Sequence, residues 1–292
     1  MTATASTRPV NGRAPIASAF APTPARAPSS RAAFAVLVRR RLSLSAKTPR
    51  EVAVPLLAPV FFALVIAPAL ASIGPKVPGL DYMSFAAIGT AGLLIPLNCM
   101  FSGIGVIVDR ERGARRDLLA APVGRPVLVL ANLAAALVVT ALQVAVLVAA
   151  AVLRGADLVA SASGIAWFVA AATLLAVGMY GVAEALANKI SSVEEFTGAV
   201  PALAIVPFFF AGSLYPIDAL PWALTGFARF LPLTHALALM RYGLLGSSTG
   251  LHDIWGMDSV TAMATLSLAA VAAFALLLTV LAIRAFRRAA VQ

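Results

Sequence analysis

Six stretches of this 292-residue chain contain no Lys, Arg, Asp or Glu: 52–75, 82–108, 126–153, 158–183, 196–217 and 259–283. Each is 22 to 28 residues long. A bilayer core about 30 Å thick is crossed by roughly 20 helical residues. Helices of water-soluble domains show a polar face, and these runs mostly lack one. The pattern therefore predicts an all-α, polytopic membrane protein with six transmembrane helices. Only 12% of the residues are charged, about half of what a soluble domain carries.

The formal net charge is +10, which taken alone points to an anionic partner such as nucleic acid. Its placement points to the membrane instead. If the six runs alternate in direction, 18 of the 22 Lys and Arg fall on one side. The other side receives Lys76, Arg154, Arg229 and Arg241. Cytoplasmic loops are the ones rich in Lys and Arg, so both termini are expected in the cytoplasm. No nucleic-acid partner is expected.

Residues 1–30 hold five prolines among Ala, Ser, Thr and Arg, a composition too poor in large apolar side chains to form a core. They read as a disordered tail. The first apolar cluster, AAFAVLV, is short and runs into Arg39, Arg40 and Arg41 rather than a cleavage site, unlike a secretory signal. Phe34, Leu37, Val38 and Leu42 fall at helical spacing beside those arginines. That arrangement predicts a short amphipathic helix over 31–50, lying on the cytoplasmic membrane surface.

In the third run Ala141, Ala145 and Ala149 recur every fourth residue, a small-residue face that permits close helix packing in lipid. Residues 218–258 resist assignment as a span. A helix over 219–245 would place Arg229 and Arg241 in lipid at about 2.5–3.5 kcal/mol each near the centre, and would move the C-terminal arginines outside. A pair of re-entrant helices on the outer face over 216–245 is expected instead, because broken backbone is tolerated where protein or water lines it.

Groups able to carry chemistry are few. The sequence has no phosphate-binding G-x-x-x-x-G-K-[ST] and no H-E-x-x-H. A hydrolase needs a nucleophile with an oriented base. His235 and His252 stand in no such motif and read as polar residues at the interface. The single Cys99 lies in an apolar run and reads as a small buried hydrophobe. No catalytic residue, metal ligand or cofactor site is expected. Glu184 ends the fourth run, five residues before Lys189. It is expected to snorkel to the cytosolic edge or meet Lys189, with a place on a substrate path as the alternative.

The charged stretch DRERGARRDLLAAPVGRP, 109–126, separates the second and third runs. Burying its five arginines would cost on the order of 12–18 kcal/mol, so it lies outside lipid, on the cytoplasmic side. ERGARRDLLAA has helical character, with Glu111 and Arg115 at favourable i,i+4 spacing. Arg112 and Arg116 form a like-charge i,i+4 pair that asks for an anionic neighbour.

Two pieces, VDRERGARRDLLAAPVGRPVLVLANLAAAL (108–137) and FFFAGSLYPIDALPWALTGFARFLPLTHALALMRYGL (208–244), resemble the membrane subunits of type-2 ATP-binding-cassette exporters. That group includes daunorubicin-type drug-efflux and polysaccharide export permeases, and the resemblance covers about residues 31–288. His235 departs from it, standing where an aromatic residue is expected after Pro-Leu-Thr. The resemblance implies a six-span permease domain over 51–288, with a coupling loop at 109–126 and re-entrant helices after the fifth span. It implies that Asp109, Arg110, Glu111, Arg112 and Gly113 meet a separate ATPase subunit. Ser191, Glu194 and Glu195 would form a second cytoplasmic contact. Pro216, Asp218, Pro221 and Pro232 would frame an outer gate.

The expected function is an ATP-driven export permease for a hydrophobic drug or lipid-like compound in a bacterial plasma membrane. The chain is not expected to be an enzyme, because ATP belongs to the partner. It is expected to pair with a second permease chain, identical or not. Polysaccharide or glycolipid export is the alternative within the family. An ion-coupled secondary transporter is disfavoured because acidic or basic residues are scarce in mid-span.

Overall fold

The computed structural model of this protein describes residues 29–47, 81–159 and 161–289, with scattered positions between 53 and 69. The predicted tail (apart from residues 29 and 30) and most of the first predicted span lie outside the described residues. Where the chain is described it is helical, with turns and no strand. The helices are α1 (Ser30–Lys47), α2 (Tyr82–Ser102), α3 (Ile104–Glu111), α4 (Ala114–Ala120), α5 (Arg125–Leu153) and α6 (Ala162–Ala187). They continue as α7 (Val193–Val200), α8 (Val206–Phe210), α9 (Trp222–Phe230), α10 (Pro232–Leu245), α11 (Thr249–Trp255) and α12 (Val260–Ala289).

Side chains start three of these helices. Asp81 accepts from the Ser84 N–H, Ser161 from Gly164 and Ser192 from Glu195, at 3.0, 3.0 and 3.2 Å. Each supplies an acceptor to one of the backbone donors that a helix start leaves unpaired. Five stretches are long and apolar enough to cross a membrane: Tyr82–Glu111, Arg125–Leu153, Ala162–Ala187, Val193–Phe210 and Val260–Arg288. They match the second to sixth uncharged runs. The sequence expectation of a polytopic all-helical membrane protein holds.

The α6 helix is central and packs against α12, α10, α2 and α5. Lipid is as apolar as Leu, so helices in it associate through close packing rather than hydrophobic exclusion. Glycines provide that closeness here. A Cβ on Gly164 would strike the Gly243 carbonyl, and one on Gly181 would strike the α12 backbone at Leu278. Asn98 donates to Thr140, joining α2 to α5 inside the bundle. The α5 residues Ala141, Ala145 and Ala149 face outward.

The fifth stretch is irregular. After α7 the chain forms one π turn, Pro201–Ile205, before α8. It then leaves the bundle, makes a 3₁₀ turn at Ile217–Ala219, and enters α9 and α10, which meet at an 81° bend. Pro232 has no N–H and opens α10 at its first turn, where that donor is not needed. This bent pair lies within the predicted re-entrant region. The short α11 that follows was not expected from the sequence.

One expectation needs correction. The stretch ERGARRDLLAA is not one helix: α3 ends at Glu111 and Gly113 takes φ +76° before α4 begins. Residues 111 and 115, like 112 and 116, are therefore not successive turns of one helix. A left-handed residue stops the helix, and Gly adopts that conformation without steric cost. The helix α1, expected on the membrane surface, is also tied to the spans. Arg40 and Arg41 reach into the bundle, as described below.

Candidate functional site

The ends of α3, α6 and α12 and the starts of α5 and α7 come together at one end of the bundle, which carries most of the described positive charge. Here α3 and α4 form an elbow around Gly113. Asp109 pairs with Arg40 of α1, with Nη2 at 2.9 Å and Nη1 at 3.2 Å from the two carboxylate oxygens. This bidentate geometry is the strong form of an Arg–carboxylate contact. It raises the Arg40 pKa above its usual value. Arg41 donates to the Ser102 carbonyl at 3.0 Å, fastening α1 at the α2–α3 junction.

Arg110 faces the other way. Its guanidinium donates to the carbonyls of Ala187, Ile190 and Ser191 at 3.1, 2.6 and 3.1 Å. A helix C-terminus leaves carbonyls unpaired, and one planar guanidinium here serves the end of α6 and the loop into α7. Asp109 and Arg110 thus tie the elbow to α1 and to the α6–α7 loop. Glu111 and Arg112 are exposed, and Gly113 has open space around its Cα. Beyond the glycine, Arg115 turns inward and lies over the Phe286 ring at 4.8 Å. Burial lowers its pKa, and the carboxylate of Glu184 partly offsets that. Arg116 and Asp117 are exposed.

The predicted second contact lies beside this elbow. The Ser191 carbonyl is one of the Arg110 acceptors, and its hydroxyl donates to Glu195 at 3.4 Å. Glu194 and Glu195 are exposed in the first turn of α7, where carboxylates suit the helix dipole. Arg110 therefore joins the two stretches that the sequence singled out separately.

Glu184 does not meet Lys189 or snorkel outward. It is fully buried, accepting from the Tyr180 hydroxyl at 2.7 Å and from Asn188 at 3.0 Å. Lys189 is exposed. Tyr180 and Asn188 lie one turn either side of Glu184, so α6 carries the carboxylate's own hydrogen-bond partners. The i,i+4 spacing was legible in the sequence, but the inward direction of that face was not.

At the opposite end of the bundle the bent pair is held by Arg241. This residue is 7% exposed. It donates to the carbonyls of Gly212, Ser213 and Phe85 at 2.7, 2.8 and 3.3 Å. Its guanidinium also stacks over the Phe85 ring at 3.4 Å. Three carbonyls and an aromatic face replace the water that a cation requires. The Ser213 carbonyl presses against Gly89, where any Cβ would collide with it. The arginine that argued against a span over 219–245 is the clamp between α10, α2 and the turn after α8.

The other residues of the expected gate are set in order along the chain. Pro216 precedes the 3₁₀ turn and Pro221 precedes α9. Asp218 lies 3.6 Å from Arg229, and Arg229 Nε donates to the Asp253 carbonyl at 2.9 Å. Burial and the neighbouring Asp218 carboxylate raise the Asp253 pKa to about 6.

His235, expected as a polar interface residue, is buried. Its Nε2 lies 2.9 Å from the Arg229 carbonyl, and its Nδ1 lies 3.2 Å from the Ser267 hydroxyl. Ser267 also accepts from Trp255 Nε1 at 2.8 Å. A carbonyl only accepts, so the neutral Nε2–H tautomer satisfies every partner. This histidine fastens α9, α10, α11 and α12 together. Cys99 is free and buried, as expected of a small hydrophobe.

The architecture defines a multi-pass helical membrane protein whose loops are tied to its bundle by arginines. The ABC-2 type transporter family matches residues 32–245, most of the chain, and the chain belongs to that family. The family's domain is a transport permease, not a catalytic domain. No curated protein matches the chain.

Proposed function

We propose that this permease exports a hydrophobic drug or lipid-like compound across a bacterial plasma membrane, driven by a separate ATPase subunit that docks on the α3–α4 elbow. Membership of the ABC-2 family carries the reading, since such permeases normally work with an ATPase subunit. The elbow supports the placement of the contact. Glu111, Arg112, Arg116 and Asp117 are free at its surface, while Asp109 and Arg110 anchor it to α1 and the α6–α7 loop. A push on the exposed side chains is thereby delivered to α1, α6 and α7 together. Glu194 and Glu195 extend the same surface and form the second contact.

ATP binds the partner, and the chain itself carries no cofactor. Two permease chains, identical or not, enclose the exit path, with both termini in the cytoplasm. The Pro216–Pro232 segment, with Asp218 and Pro221, gates the outer end. The sparsity of charge in the spans favours an apolar cargo over a sugar chain. In the cell this activity is efflux, seen as resistance to the exported compound.

Substituting both Glu111 and Arg112 by Ala tests the docking surface. ATP-dependent uptake of a hydrophobic dye into inverted vesicles is expected to vanish while the chain still inserts at its normal level. Full uptake by the double variant contradicts the assignment.

A further inference from the structure

A partly open pocket of about 200 Å³ lies among α2, α6, α12, the π turn and the α9–α10 junction. Its walls are hydrocarbon and thioether side chains throughout, with no polar side chain among them. Enclosed apolar cavities of roughly 150 Å³ bind benzene or xenon, and this pocket, although open on one side, presents the same kind of wall. A pocket of this size and lining offers ions, sugars and lipid head groups no polar partner, and fits a single ring or a short branched hydrocarbon.

Its depth follows from the helices that build it. Pro96 is the fifteenth of the 30 residues from Tyr82 to Glu111, and Leu175 the fourteenth of the 26 in α6. Phe274 is the fifteenth of the 30 in α12. Three spans thus contribute their midpoints, which places the cavity at the middle of the membrane. Ala204, from the π turn, forms another wall, and Leu231 and Pro232 bring in the 81° bend.

Those last two walls are the irregular parts of the bundle. Non-helical backbone at membrane depth is tolerated where it lines a cavity, and π turns inside helices occur frequently at functional sites. Transporters also build substrate sites at the midplane from discontinuous helices. A seat for bulk lipid tails needs neither feature. We propose that this pocket receives the apolar ring or branched end of the exported compound midway across the membrane. The assignment rests on the exporter reading above and narrows it to compounds with such a group.

The test uses iodobenzene on crystals of the full-length chain, with ATP-driven uptake of rhodamine 6G into inverted vesicles as its second arm. Anomalous iodine signal is expected between Pro96, Ala204 and Phe274 in the wild type. It should disappear in Ala204→Phe, which fills the pocket, with uptake reduced at least tenfold. Leu203→Trp, at the cavity's partly exposed edge, should act in the same direction if the first variant fails to fold. No iodine in the wild-type pocket overturns the proposal. Iodine present with uptake unchanged in a filled variant makes the cavity a seat for lipid tails and also overturns it. A filled pocket in a wild type with no ATP-driven uptake overturns the exporter reading and the substrate assignment with it, and the iodine signal distinguishes that result from a failure of the pocket.

Discussion

Arg110 is the residue on which the elbow depends most. Among the described residues its guanidinium serves the carbonyls of Ala187, Ile190 and Ser191. Arg110→Ala is expected to lower stability by about 2 kcal/mol, since hydrogen bonds to charged groups contribute roughly 1.5–3 kcal/mol and this one is part-exposed. Thermal unfolding in detergent measures that loss. Arg110→Lys should not restore it, because an ammonium lacks the planar fork. At Gly113 the space around the Cα is open and only φ +76° objects to a side chain. Gly113→Ala should therefore cost about 1 kcal/mol in backbone strain alone, with an altered elbow angle read as slower transport. Asp253 has a folded pKa of about 6 against 3.8 for a free carboxyl. The native state thus holds its proton more tightly, and stability falls as pH rises from about 4 to 6. That slope should flatten in Asp253→Asn. None of these partnerships was legible in the sequence. Arg110 is one of five arginines in its stretch, and nothing local distinguishes the one that turns back to carbonyls some 80 residues away.

Elements were far more legible than contacts. Absence of charge over 20 or more residues is a strong constraint in lipid, and five of the six predicted runs coincide with helical stretches while most of the first lies outside the described residues. The break at Gly113 is hidden by favourable i,i+4 charge spacing on either side of a glycine that stops the helix. The π turn is not legible because its prolines, Pro201 at its first position and Pro207 just beyond it, also occur in regular spans. The bent pair was foreseen from Arg229 and Arg241, but their roles were not: Arg229 sits at the surface beside Asp218 while Arg241 is the buried clamp. Removing that clamp leaves the Gly212 and Ser213 carbonyls without the donor it supplies and takes a second donor from the helical Phe85 carbonyl. Arg241→Met is expected to cost on the order of 3 kcal/mol and to expose α9 and α10 to protease from the outer side. Gly89→Ala should loosen the same junction by pushing the Ser213 carbonyl away, at about 1–3 kcal/mol. Limited proteolysis of intact membranes reads both.

At the scale of the whole molecule, the chain divides into a charged elbow at one end, an apolar bundle, and a clamped bent pair at the other. The arginines at the two ends do related work. Each supplies donors to carbonyls that irregular backbone leaves unpaired, so loops that are expected to move with transport remain fastened to spans. The central claim is that a separate ATPase drives this bundle through the elbow. Isolation of the full-length chain from its native membranes in mild detergent tests it most directly, comparing wild type with the Glu111→Ala, Arg112→Ala double variant. An ATPase polypeptide, with ATP hydrolysis, is expected to accompany the wild type and to be lost from the double variant. An isolate with no ATPase, or one in which the double variant retains it fully, contradicts the account.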